Sequence, residues 1–195
     1  MRADKHNQYT NTMKKSSRGF TLVELVIVVA VIIILAAMTI SVYSGAQARS
    51  RDAKRKADIA NIAKALELYY DDNGEYPNAA NNGTLISSSW SVSKDSVSWP
   101  AFSSFLTAPS AKTGTAATDS VPADPTNNGS PLISGQYSYA YFTGGFCGKP
   151  ARQWYILVYR YEVSQKEQFT DGDCSTDPLG DSYFNNGASY YRVAH

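Results

Sequence analysis

The sequence predicts an α+β protein, with one long N-terminal helix and a small antiparallel sheet of three or four strands. No residue from 25 to 48 is charged, and beyond that run apolar residues continue at helical spacing. Segments typical of strands are concentrated after residue 135. The length of 195 residues suits one domain with an appendage, and the net charge of +1 gives no indication of nucleic-acid binding.

The uncharged run is long enough to cross a membrane. About 24 residues at 1.5 Å each span roughly 36 Å, and the bilayer core is about 30 Å thick. The run outlasts the apolar region of a secretory signal and no Ala-x-Ala site follows it, which favours a retained helix over a cleaved one. Glu24 stands at its edge, where a carboxylate is costly unless it lies among the headgroups or meets a cation.

The helical pattern continues past the run until Asn73-Gly74, because Gly74 suits a left-handed helix end and Pro77 prevents the helix from resuming. A single helix over about 21–72 would be roughly 75–80 Å long. No compact domain of this size is that wide. We therefore expect the first half to project and the second, amphipathic half to pack on a globular headpiece, in the manner of a lollipop.

The headpiece begins with a loop-rich stretch at 78–135, rich in Ser, Thr, Asn and Gly, with one short helix expected near 100–107. Strands are predicted at 136–143, 153–163 and 189–194. The second of these is apolar on both faces, so one face should pack on the helix and the other on loops or a neighbouring subunit. The two faces alternate, with Tyr155, Leu157, Tyr159 and Tyr161 opposite Trp154, Ile156 and Val158.

A basic cluster from Arg49 to Lys56 has a net charge of +4, and residues 68–195 have a net charge of −5. We interpret the cluster as contacting anionic headgroups or acidic neighbours. DNA binding is the alternative. The acidic headpiece argues against DNA binding and favours packing of the headpiece against the basic cluster. Only two histidines are present, at positions 6 and 195, and no nucleophile motif occurs, so an enzyme is not expected.

The segment from Lys14 to Leu25 closely resembles the class III signal of type IV pilins and type II secretion pseudopilins. It combines a basic leader that ends in Gly19, then Phe20, Glu24 and a long apolar run. The resemblance implies that prepilin peptidase cuts after Gly19 and methylates Phe20. A second resemblance, to the headpieces of major pseudopilins, lies in the helix exit and in the segment around Asp124.

For Glu24 the resemblance implies a role in assembly: its carboxylate would meet the N-terminal amine of a neighbouring copy. The partners it implies are other pilin copies, prepilin peptidase, an assembly platform and an ATPase. The chain would lie in the cytoplasmic membrane before assembly and in an extracellular filament afterwards. Adhesion, twitching motility or DNA uptake would be the output.

The resemblance and the composition together give a division of the chain. Residues 1–19 would be the leader, 20–48 the transmembrane helix, 49–73 its amphipathic continuation and 74–195 the headpiece, itself divided into 74–135 and 136–195. The leader is long for the family, and Met13 offers an alternative start. Many pilins have a proline where this chain has Ser41, which leaves Gly45 as the weakest point of the helix.

Two further sites are expected in the last third. Cys147 and Cys174 would form a disulfide if the headpiece is exported, as in the C-terminal loop of many pilins, or would remain free thiols. Four carboxylates in a turn-rich loop could hold structural Ca²⁺, although a solvated acidic loop is favoured, and no other cofactor is expected. These four are Asp171, Asp173, Asp177 and Asp181.

The leading function is a pilin subunit of a type IV filament, and the alternative within the same class is a pseudopilin. A membrane-anchored binding module that never polymerises is the alternative from another class. Glu24 discriminates between them, because an anchor alone has no use for a carboxylate at that position.

Overall fold

The computed structural model of the chain describes residues 19–79, 85–86, 89–145, 149–171 and 187–194, apart from the side chains at 39–42, 170–171 and 194. The chain divides after Tyr43 into two compact units. Helix α1, Leu22–Asn73, is 52 residues long and begins in the first unit. The predicted helix over 21–72 is therefore confirmed, including its end just before Gly74, which has a φ of +72°.

The second unit adds one short helix and five strands. Helix α2 is Ser98–Thr107, which confirms the helix expected near 100–107. The strands are β1 (Ser91–Val92), β2 (Ala140–Phe142), β3 (Trp154–Tyr159), β4 (Gln168–Asp171) and β5 (Ser189–Ala194). They form one sheet in the order β1-β2-β3-β5-β4.

The expectation of an antiparallel sheet is correct for three of the four strand pairs and wrong for the fourth. β4 runs parallel to β5, with Phe169 opposite Tyr191, so the sheet is mixed. The strand that follows β3 in the sequence, β4, is not its neighbour in the sheet. β5 lies between them, and β4 forms the sheet edge. β4 and the two-residue β1 were missed because both are short and largely polar.

β3 lies at the centre of the sheet, and every one of its residues is buried. Its two faces belong to two separate apolar clusters, as the alternation predicted. Tyr155, Leu157 and Tyr159 pack with Ile59, Ile62 and Leu66 of α1 and with Phe102 of α2. Trp154, Ile156 and Val158 pack with Trp90, Phe142 and Ala188, so loops and neighbouring strands of the same chain cover the second face.

Candidate functional site

The N-terminal end of α1 is organised by a reciprocal hydrogen-bonded motif. The backbone N–H of Thr21 donates to Oε2 of Glu24 at 2.9 Å, and the backbone N–H of Glu24 donates to Oγ1 of Thr21 at 3.2 Å. The Thr21 hydroxyl also donates to Oε2 at 2.7 Å. This is a capping box: the residue before the helix and the third helical residue satisfy each other's free N–H groups.

The capping box gives Glu24 a local role that the sequence analysis missed. The signal was present, because Thr21-Leu22-Val23-Glu24 has the Thr-x-x-Glu spacing of a capping box just before an apolar run. Both side-chain bonds use Oε2, and no cation of the described residues lies within ion-pair distance of Glu24. Oε1 therefore has no partner among the described residues.

Gly19 and Phe20 lie immediately before the capping box, and both are exposed. The side chain of Phe20 is 87% exposed, so the Gly19–Phe20 peptide bond lies in an accessible segment. Cleavage there would leave Thr21 and Glu24 intact, because every bond of the box lies on the Phe20 side. The new α-amine would be only one residue from the box.

No other described residue of the first unit packs over the apolar side chains of α1. Each large apolar side chain from Phe20 to Met38 is at least 48% exposed. Of the described helices, α1 is the one long and apolar enough to cross a membrane, with a mean hydropathy of 3.2 over its most apolar stretch. Such a surface must be covered by lipid or by other protein chains.

In the second unit, α1 is tied to the headpiece by a group of five charged residues around Arg55, called here the Arg55 cluster. They are Arg51, Asp52, Arg55, Asp124 and Glu162. Arg55 is fully buried and donates two hydrogen bonds to the Asp124 carboxylate, from Nε at 2.7 Å and from Nη2 at 3.0 Å. Its Nη1 donates to Asp52 at 2.9 Å and to Glu162 at 2.8 Å.

Two carboxylates of the Arg55 cluster, Asp52 and Glu162, have lowered pKa values, which favours their charged form. Burial alone would raise the pKa of Asp52, but three backbone N–H groups at 162–164 and the Arg55 guanidinium outweigh it and lower that pKa. The hydrogen bond from Arg51 lowers the pKa of Glu162, and Arg55 adds to the effect. The cluster thus joins α1 to two loops distant in sequence.

This arrangement confirms that the acidic headpiece packs against the basic cluster. Four of its five cations are paired within the chain: Arg51 and Arg55 in the Arg55 cluster, Lys54 with Asp58 at 2.9 Å, and Lys56 with Glu167 at 2.9 Å. Three of these four cations, Arg51, Arg55 and Lys56, pair with carboxylates of the headpiece. Arg49 alone has no acidic partner among the described residues.

Two predicted sites lie outside the described residues. Cys147 and Cys174 both do, and so do Asp173, Asp177 and Asp181 of the acidic loop. Asp171 ends β4, and only its backbone is described. In the part of the chain that the structure describes, no group of three acidic, His or Cys side chains could hold a metal ion.

Comparison with known proteins confirms the resemblance seen in the sequence. A family model described as the prokaryotic N-terminal methylation motif matches residues 14–40. The type IV wide pilus major component PilA4 of Thermus thermophilus is 40% identical over 73 residues, 37% of this chain and 54% of the relative. The type IV major pilin protein PilA of Myxococcus xanthus is 40% identical over 65 residues, 33% of this chain and 30% of the relative.

Proteins of a secretion system match as well. The type II secretion system core protein G of Klebsiella michiganensis is 34% identical over 64 residues, 33% of this chain and 45% of the relative. The chain thus spans about half or less of the length of these relatives. No solved structure matches the chain.

Proposed function

We propose that this chain is a pilin, a structural subunit of a type IV pilus filament. The observation that carries the proposal is the methylation motif at 14–40 joined to a helix whose large apolar side chains are exposed from Phe20 to Met38. A basic leader, the Gly19–Phe20 bond and Glu24 coincide at the start of that helix. The role is structural, not catalytic.

In this proposal prepilin peptidase removes residues 1–19 and methylates the amine of Phe20. Glu24 then has two tasks. Its Oε2 maintains the capping box with Thr21, and its Oε1 accepts the cationic N-terminal amine of a neighbouring copy. The pair would neutralise two charges inside an apolar filament core and set the axial register of one helix against the next.

The remaining expectations follow from the same proposal. The chain resides in the cytoplasmic membrane through residues 20–48 until an assembly platform and an ATPase transfer it into a filament outside the cell. Residues 49–73 and 74–195 then form the filament surface, with a disulfide between Cys147 and Cys174. Adhesion, twitching motility or DNA uptake is the use of the filament.

A second candidate is a pseudopilin of a type II secretion or competence system, favoured by the similarity to core protein G. The two candidates share processing and helix assembly and differ in where the filament ends. A pilus extends from the cell and is released by shearing. A pseudopilus stays within the envelope, so its subunit remains with the sheared cells.

The test is the intact mass and N-terminal residue of the chain recovered from sheared cells and from the sheared fraction. A start at N-methyl-Phe20 in the sheared fraction, with the mass lower by the two hydrogens of a disulfide, is the expected result. The same processed chain found with the cells alone would select the pseudopilin. An unprocessed chain confined to membranes would overturn both candidates.

Substitution at Glu24 tests the assembly step. Glu24→Ala removes the charge and the cap and should abolish filaments while cleavage after Gly19 continues. Glu24→Gln is the matched control, because glutamine can keep the capping box but has no charge for the amine. We expect filaments to be lost in both variants. Normal filament yield from Glu24→Gln would show that the cap, not the charge, is what assembly needs.

A further inference from the structure

A groove of about 500 Å³ lies where α1 and α2 end. Tyr69 and Phe105 form one wall, with their rings edge to face and their centroids 6.4 Å apart. Both rings are half-buried, so each retains an accessible part. Asp72 is the single charged residue among the described residues that line the groove.

The groove has a negative electrostatic character from three sources. α1 ends at Asn73 and α2 at Thr107, so two helix C-terminal ends, each with partial negative charge, meet there. Neither helix has a basic residue in its last turn. Asp72 adds a full charge, and Thr113 donates to its Oδ2 at 3.1 Å, which leaves Oδ1 without a partner among the described residues.

One nearby cation, Lys112, bonds the end of α1 itself and offsets part of the partial negative charge of that helix end. The ammonium of Lys112 donates to the backbone carbonyl of Asp71 at 3.0 Å and does not line the groove. The groove therefore combines a carboxylate oxygen with two aromatic rings and has no cation of its own. That combination fits a guanidinium, which bonds a carboxylate and stacks on aromatic faces.

Arg49 provides a guanidinium of this kind. It is exposed on α1 and, unlike the four other cations of the basic cluster, has no acidic partner in the described part of the chain. Arg49 and Asp72 are 23 positions apart on one helix, about 35 Å along its axis. The two therefore cannot meet within one chain.

The helix geometry places them suitably for contact between parallel copies. At 3.6 residues per turn, Arg49 and Asp72 are about 140° apart around the axis. Two parallel helices side by side contact each other through faces that point in opposite directions. Contact between such opposite faces needs the two residues to be about 180° apart around the axis. A rotation of about 40° between the copies would make up the difference. Contacts of this head-to-tail kind generate helical filaments, because the two patches differ.

We propose that the groove at the end of α1 binds Arg49 of a second copy of this chain, displaced by about 35 Å along the filament axis. The inference rests on the proposed function, because only an assembly of parallel copies brings the two residues together. It names a contact between the second units of two copies, separate from the contact at Glu24.

A zero-length carbodiimide reaction on sheared filaments tests the pair directly. The reagent joins an amine to a carboxylate, so wild-type Arg49 does not react and the variant Arg49→Lys supplies the amine. We expect a covalent dimer in which a peptide containing position 49 is linked to a peptide containing Asp72. The matched control, Arg49→Lys with Asp72→Asn, should lose that link. Coupling of position 49 to other carboxylates alone, or no coupling, would overturn the proposal.

Charge reversal gives an independent readout. Asp72→Arg and Arg49→Asp should each lower the mass of sheared filaments about tenfold, and the double variant should restore it. Loss with Arg49→Asp but not with Asp72→Arg would indicate a membrane-surface role for Arg49 and would overturn the pair. Lys64→Glu, on the same helix and outside the groove, is the control and should leave filament mass unchanged.

The two proposals fail in different ways. If the unmodified chain yields no filaments inside or outside the cell, the filament function is overturned and the contact with it. If the unmodified chain forms filaments but position 49 does not couple to Asp72, the contact alone is overturned.

Discussion

At the scale of single residues, Arg55 is fully buried and joined to four different side chains. An arginine has five N–H donors in a planar fork, and Arg55 directs all five at acceptors. The fifth bond runs from Nη2 to Oγ1 of Thr126 at 2.9 Å. A lysine has neither the fork nor enough donors, so lysine would not replace arginine here.

Substitution of Arg55 should therefore be severe. Arg55→Met leaves the buried carboxylates of Asp52 and Asp124 without their cation, which costs about 3–5 kcal/mol of unfolding free energy. Lys56→Met is the matched control on the same helix, because the pair of Lys56 with Glu167 is exposed and worth at most about 1 kcal/mol. Denaturant unfolding of the full chain in detergent measures both. Equal losses from the two variants would contradict this account of the Arg55 cluster.

Glu24 shows what could and could not be read from the sequence about the candidate site. The spacing from Gly19 to Glu24 was sufficient to identify the processing motif. The capping box was also readable from Thr21 and Glu24, since both residues are local to one helical turn. The Arg55 cluster was not readable in this way, because Arg55 and Asp124 are 69 positions apart and only the fold brings them together.

At the scale of elements, α1 ends where the chain turns left-handed. Gly74 has a φ of +72°, and its backbone N–H donates to the carbonyl of Tyr70 at 2.7 Å. Gly45, by contrast, lies inside the same helix with helical backbone. A Cβ added at either position would meet no atom within 4 Å, so only backbone conformation distinguishes the two.

The same substitution should thus have opposite effects at the two glycines. Gly74→Ala forces a side chain into the left-handed region and should cost about 1–2 kcal/mol. Gly45→Ala removes a flexible residue from a helix interior and should stabilise the helix by about 1 kcal/mol. Thermal unfolding of the full chain, followed by far-ultraviolet circular dichroism, measures both. Destabilisation by Gly45→Ala would mean that this position needs its flexibility.

The strands show where sequence patterns were sufficient. β3 was predictable because its six consecutive residues are all apolar or aromatic, which indicates a strand buried on both faces. In the structure these residues alternate between two apolar clusters. β4 has one large apolar residue, Phe169, among polar neighbours, so periodicity gave no signal for it. Its parallel direction depends on β5 lying between β3 and β4, which is a property of the whole sheet.

At the scale of the whole molecule, the second unit should lose stability in acid. The pKa values of Asp52 and Glu162 are lower in the folded chain than their ordinary values of 3.8 and 4.5. For a lowered pKa, the stabilisation is complete above the unfolded value and is lost as the pH falls through the folded value. The unfolding free energy should therefore be steady above about pH 4.5 and decline below it.

Denaturant titrations of the full chain between pH 7 and pH 3 would measure this decline. Glu162→Gln removes one of the carboxylates with a lowered pKa and leaves Asp52 and Glu167, so its curve should be shallower below pH 4.5 than that of the unmodified chain. Glu75→Gln is the control, because Glu75 pairs with Arg152 in a partly exposed ion pair outside the Arg55 cluster. Parallel curves for the unmodified chain and Glu162→Gln would assign the acid sensitivity to other groups.

The place of β5 in the sheet has a consequence for how the chain matures. β5 comes last of the described strands in the sequence, yet it lies inside the sheet and pairs with β3 through six residues and with β4 through four. During synthesis, β3 and β4 leave the ribosome before the strand that joins them exists. The apolar helix of the first unit emerges earlier still, so in the proposed pilin its insertion into a membrane can begin before the sheet is complete. The five-stranded sheet cannot close until residues 189–194 have been translated.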